Sequence, residues 1–195
     1  SAAATLNHNL DLVRQWGLQI VGDERAEDIA SRSPRSQVVL GDIQPHRLQR
    51  IVEGFGVPFV FDAIVACAQD HGVPPPGVSH LDFRHNLFRE RLERSPYPHT
   101  LLFRADEIPP ELNRLSSIAN TARQMPTDAV YVMDSGMAAI LGASLDITAK
   151  GRNHVFVLDA ATSHTVGAAL DGDELAGFFE YHTVDISPFK IEELF

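Results

Sequence analysis

Val155–Leu170 reads VFVLDAATSHTVGAAL. A β-branched apolar run closes on Asp159, a tip of small and hydroxyl residues follows, and a second apolar run starts at Val166. Backbone N–H groups in such a tip can cradle a phosphate, and the same residues also make an ordinary tight turn. Beyond Leu170, DGDE supplies a Gly-containing turn and LAGFFEYHT a returning strand, which predicts a β-hairpin. Pairing Leu170 with Leu175 would set Val166 opposite Phe179 and His164 opposite Tyr181 on an apolar face. The other face would pair Thr165 with Glu180 and Ser163 with His182, and a slip of one residue would mix the two sets. The expectation is a polar cluster of Ser163, Thr165, Glu180 and His182 at the open end of the hairpin, beside the Asp159 loop.

Working outward, three further segments share the form of an apolar run closed by aspartate. They are SQVVLGD ending at Asp42, FVFDAIVACAQD ending at Asp70 and AVYVMD ending at Asp134. Continuous apolar runs predict strands buried on both faces. Helical spacing lies between them. QPHRLQRIVEGFG places Leu48, Ile51, Val52 and Phe55 on one side, and FRHNLFRERLERS aligns Phe83, Leu87, Phe88 and Leu92. PPELNRLSSIANTARQ carries Leu112, Leu115 and Ile118, and SGMAAILGASLD is a short helix bounded by Ser135. Strands alternating with helices predict an α/β fold, with a mixed sheet and a closing β-hairpin. Residues 37–195 form the α/β domain in this reading, and residues 1–36 stay ambiguous between helix and strand.

Composition narrows the function. The 195 residues carry a formal net charge of −10, from 16 Lys and Arg against 26 Asp and Glu. Nucleic-acid affinity needs a basic face, so no nucleic-acid partner is expected, and Arg89, Arg91 and Arg94 read as a solvated helix face. No apolar run approaches the 18 residues of a membrane span, and no basic stretch followed by an apolar core marks a signal peptide. Cys67 is the one cysteine; its apolar surroundings predict a buried structural thiol. A cytoplasmic protein without an iron–sulfur cluster fits.

Ligands of α/β sheets bind beyond the carboxyl ends of strands, where all four aspartates are placed. Asp134 and Asp159 each precede a tight small-residue turn. Carboxylates there can hold a hydrated Mg²⁺, or simply cap the next helix or turn. In AQDHG, His71 could act as a general base oriented by Asp70, or the pair could make an Asx turn. Asp70, His71, Glu180 and His182 together would suit a metal-dependent hydrolase if they converged on one ion. The sequence contains no G-x-x-x-x-G-K-[ST], G-x-G-x-x-G or G-x-S-x-G.

Ala129–Thr183 resembles the actin-like ATPase superfamily of actin, sugar kinases and heat-shock chaperone ATPases. Members have a strand, a short Ala/Gly-rich helix, a strand ending in Asp and a phosphate hairpin of pattern D-x-G-x-G-x-T. Here SGMAAILGASLD matches the helix, DAATSHT the hairpin from Asp159 to Thr165, and LDGDELAG the returning turn. The resemblance implies a ribonuclease H-like fold and binding of ATP with Mg²⁺. Asp159 would orient a Mg²⁺-bound water, and Thr162, Ser163 and Thr165 would contact phosphate. Asp134 would hold a second water or the metal, and any phosphoryl transfer would rest on positioning and electrostatics. Ala161 and Ser163 stand where the pattern has glycines, and a Cβ there restricts φ and crowds a close phosphate. An N-terminal D-x-G-[ST] strand is not present, and a helix begins in FKIEELF, so a fragment of a longer two-lobed protein is expected. Alternatively the domain has lost nucleotide and is an interaction module, self-associating through a sheet edge or apolar patch.

More narrowly, GDIQPH, AQDHG, VMDSGMAAILGA, VLDAATSHTVGAAL and GFFEYHT occur in the order of a prokaryotic family labelled "putative pyruvate formate-lyase activating enzyme". The similarity spans about Gln37 to Thr183. Radical generation from S-adenosylmethionine needs a cluster on three closely spaced cysteines, and Cys67 stands alone. The label is therefore a name and not an activity.

Overall fold

A computed structural model describes residues 10–32, 41–75 and 77–194. The chain divides into two compact units, Ser1–Gln44 and Pro45–Phe195. The first contains helices α1 (Leu10–Gln15) and α2 (Asp23–Arg32). Within the ambiguous N-terminal stretch, Leu10–Gln15 and Asp23–Arg32 are helical and residues 16–22 connect them. Exposed ion pairs one turn apart, Asp11 with Arg14 and Asp28 with Arg32, decorate these helices. Of the strand expected in SQVVLGD, residues 36–40 lie outside the described residues.

The second unit opens with α3 (Pro45–Gly54), β1 (Phe61–Cys67) and α4 (His80–Leu92). It continues with a 3₁₀ turn (Pro98–Leu101), β2 (Leu102–Arg104), α5 (Asn113–Ala122), β3 (Thr127–Met133) and α6 (Ser135–Ser144). Strands β4 (His154–Ala160), β5 (His164–Asp171) and β6 (Glu174–His182) follow, then a second 3₁₀ turn (Thr183–Asp185) and α7 (Pro188–Glu193). The α/β class holds. The single mixed sheet does not, because the strands form two three-stranded sheets, ordered β1-β3-β2 and β4-β5-β6. In the first, β1 is parallel to β3 and β2 antiparallel to it. The second is an antiparallel meander whose strands pair only with one another.

Helix α5 packs on β1 and β3, and α6 on β4 and β5. Leu112, Leu115 and Ile118 are buried as their spacing predicts, with Val130 and Val132 of β3 and Met137 and Ile140 of α6. Burial on both faces fails for β1 and β4: Val65, Phe156 and Leu158 are exposed. Each of these strands has one packed face and one open face, as small sheets commonly do. No helix among the described residues is long and apolar enough to cross a membrane.

The hairpin starts in the predicted register and then leaves it. Leu170 pairs with Leu175, but Ala169 pairs with Gly177, so Ala176 is an extra residue in β6. Beyond this bulge Val166 faces Glu180, Gly167 faces Phe179, Thr165 faces Tyr181 and His164 faces His182. The bulge exchanges the faces, as one inserted residue must. In this register the Phe179 ring lies over Gly167; a Cβ built at Gly167 would overlap carbons of that ring. Gly167→Ala should therefore cost about 1–3 kcal/mol through overpacking, read as a lower urea midpoint. Adding Phe179→Leu should recover part of the loss. An unchanged midpoint for Gly167→Ala would mean that the ring does not set the register.

Candidate functional site

Opposed residues of paired strands share a face. Val157 and Asp159 of β4, Val166 of β5 and Glu180 of β6 therefore point the same way, and Val157 and Val166 are buried there. The N-terminus of α6 comes down on this face. Gly136 permits the approach, since a Cβ there would meet Val166 Cγ2 at 3.0 Å. A notch with a volume of about 80 Å³ results; among its walls are Arg84, Ser135, Gly136, Asp159, Ser163 and His164.

Behind it lies a buried charge cluster. Arg84 of α4 is 3% exposed. It donates from Nη2 to Asp134 Oδ1 at 2.7 Å and from Nη1 to Glu180 Oε2. Burial acts to lower its pKa, yet Asp134 and Glu180 hold it above the ordinary guanidinium value. Gln69 Nε2 donates to the other Glu180 oxygen at 2.9 Å. Arg84 Nε, also buried, has no hydrogen-bond partner among the described residues. An orphan donor of this kind calls for an explanation.

Asp134, read as a metal or water partner, is 1% exposed and its oxygens are engaged several times over. Oδ1 accepts from Gly136 N at 3.0 Å and Met137 N at 3.4 Å besides Arg84, and Oδ2 accepts from Asp70 N at 3.4 Å. It is the N-cap of α6. Asp70 is also buried: Oδ1 accepts from Gly72 N at 3.0 Å in an Asx turn, and Oδ2 from Leu115 N at 2.9 Å. The second bond satisfies an early N–H of α5, whose own N-cap residue, Leu112, has no side chain to do so. Asp159 differs from all of these. It is half-buried on the notch wall with no hydrogen-bond or ion-pair partner among the described residues.

The hydroxyl residues scatter. Ser163 lines the notch and Thr162 is exposed at the tip. Thr165 corrects the expectation: the bulge turns it to the opposite face from Glu180, where it is 1% exposed and lies 3.2 Å from Thr183 Oγ1. Thr183 ties the tip down, with Oγ1 donating to Ala161 O at 2.7 Å and its N–H to Ser163 O at 2.9 Å. The cluster of Ser163, Thr165, Glu180 and His182 on one face is therefore not formed.

Three imidazoles gather instead. His164 and His182 oppose one another across β5 and β6 with ring centroids 4.3 Å apart, and His71 lies 5.9 Å from His164. His164 Nδ1 shares a hydrogen bond with Ser163 Oγ at 3.1 Å. Partial burial, and to a lesser degree His182 and Arg84, push the His164 pKa below the ordinary histidine value, against the pull of Glu180. The convergence of Asp70, His71, Glu180 and His182 on one ion is not found: among the described residues no group of three or more His, Cys, Asp or Glu is placed to hold a metal. Asp70 is spent on backbone N–H groups, and Glu180 on Arg84 and Gln69.

Cys67 also departs from expectation. It is an exposed thiol at the end of an edge strand, its pKa raised by partial burial and by Asp134.

His164 was expected on the apolar face opposite Tyr181 and pairs with His182 instead, and Arg84 was not among the expected site residues. Arg84 stands four residues before Phe88 and eight before Leu92, on the buried stripe of α4. A cation within an apolar stripe was the available signal. The neighbouring arginines have other partners: Arg89 pairs with Glu93 in solvent, and Arg91 lies over the Phe103 ring.

A family model described as "Putative pyruvate format-lyase activating enzyme (DUF1786)" matches residues 1–195. The chain belongs to that family. No curated protein and no solved structure matches it. The family's description names chemistry for which this chain lacks the cysteines, since Cys67 is its only one.

Proposed function

We propose that this DUF1786-family chain binds a phosphate-bearing ligand of the nucleotide class, with Mg²⁺, in a ribonuclease H-like, actin-like domain. The observation that carries this reading is the Asp159 carboxylate. Every neighbouring acid is consumed by backbone, arginine or glutamine donors, while Asp159 faces the notch with none. The succession of β3, α6 and an antiparallel three-stranded meander supports the fold part of the proposal.

The residues suit Mg²⁺. That ion commonly takes one or two carboxylates, keeps several waters and shares phosphate oxygens, so one free carboxylate without a protein cage is appropriate. Asp159 would orient a Mg²⁺-bound water, with Ser163 beside it. When bound, the ion would neutralise phosphate charge. Asp134 contributes by positioning, because it caps α6 and fixes Arg84. Pockets that enclose drug-sized ligands run to roughly 300–1,000 Å³. At about 80 Å³ the notch suits one tetrahedral oxyanion, with sugar and base outside it.

A second reading, an interaction domain that has lost nucleotide, draws on Ala161, which lines the notch where the superfamily pattern has glycine. One experiment separates the two. Melting temperature is followed with ATP, ADP and inorganic phosphate, with and without Mg²⁺. The proposed function predicts a Mg²⁺-dependent rise, since a ligand at a hundredfold excess over Kd stabilises by about 2.7 kcal/mol. No rise with any of the three supports the interaction domain.

A further inference from the structure

We propose that His164 is the anion-facing group of the notch, and that it takes up a proton as a tetrahedral oxyanion enters. This rests on the phosphate reading and adds a residue and a control to it. The notch and its backing hold Asp159, Glu180 and Asp134 against the single guanidinium of Arg84. With neutral imidazoles the balance is three negative charges to one positive, so a dianion enters against a net repulsion. Mg²⁺ is one remedy, and an imidazolium on the wall is the other.

His164 is placed for that role. It opens β5, lines the notch and is bonded to Ser163, the tip residue beside it on the wall. The groups facing it are Glu180 and His182 of β6, Arg84 of α4, Asp134 before α6 and His71 of the loop after β1. In the ligand-free chain, burial, and to a lesser degree His182 and Arg84, lower the proton affinity of His164. A bound dianion would reverse that effect. By reciprocity, whatever the anion does for proton affinity the proton does for anion affinity. No hydrogen bond or ion pair joins His164 to Asp159 among the described residues.

Sulfate without Mg²⁺ is the probe, because its charge does not change between pH 6 and 8, unlike phosphate. Binding is measured by calorimetry in two buffers of different ionisation enthalpy, on the chain and on His164→Gln. The expected result is tightening toward pH 6, up to about tenfold per pH unit for one linked proton. Uptake of a fraction of a proton per sulfate should accompany it, and His164→Gln should lose both. His182→Gln, on the exposed neighbour, should keep most of the slope. Sulfate binding that is independent of pH, or a slope that survives His164→Gln, overturns the inference. So does an absence of sulfate binding at pH 6. In each of these cases a Mg²⁺-dependent nucleotide rise would leave the phosphate site standing, so the two readings fail separately.

Discussion

Arg84→Met should come close to unfolding the second unit. The substitution leaves Asp134 and Glu180 buried without their cation; their side chains are 1% and 7% exposed. Removing one partner of a buried pair costs about 3–5 kcal/mol, and whole domains are stable by only about 5–15 kcal/mol. Urea titration should show the midpoint falling by about a fifth or more. The informative companion is the triple variant Arg84→Met, Asp134→Asn, Glu180→Gln. It removes both stranded charges, and the Asn amide oxygen can still cap α6. Most of the lost stability should return, because neutral replacements of buried ion networks are often tolerated. A single variant as stable as the parent would mean that Arg84 is not the cluster's counter-charge.

Asp159→Asn should do the opposite: leave the fold alone and remove the ligand. A half-buried carboxylate with no partner contributes nothing by pairing and carries a desolvation cost. The ligand-free melting temperature should hold or rise slightly. The Mg²⁺-dependent rise with nucleotide should vanish, a loss of about 2.7 kcal/mol of stabilisation at a hundredfold excess over Kd. Unchanged Mg²⁺-dependent stabilisation in Asp159→Asn would remove the carboxylate from the site and the proposed function with it. A large drop in ligand-free stability would instead assign Asp159 a structural role.

The helices over residues 45–54, 80–92 and 113–122 were legible because apolar residues recur at helical spacing, whereas α1 and α2 carry no such stripe. The stripe of Leu112, Leu115 and Ile118 is buried as predicted, and the short helix after Asp134 begins at Ser135. Strand positions were legible from β-branched runs, but strand partners were not. Nothing local distinguishes one mixed sheet from two small ones, since that depends on which edges meet. The site was half legible. Acids at strand ends were visible, but which of them would remain free depended on distant donors: Leu115 N for Asp70, Arg84 for Asp134 and Glu180. The hairpin register failed for a sharper reason. A bulge needs one extra residue, and Ala176 and Gly177 carry no side chain that announces it.

That extra residue makes the charge cluster a matter of odd and even. Glu180 meets Arg84 only because the count along β6 is advanced by one at Ala176. With Ala176 kept but paired regularly, without the bulge, Phe179 would turn to the Val166 face and Glu180 to the face of Thr165. A chain one residue shorter at this point would reach the same pairing of Glu180 with Val166 and need no bulge. The spacing between Leu175 and Glu180 therefore tells whether a relative needs a bulge to bring its carboxylate to the arginine.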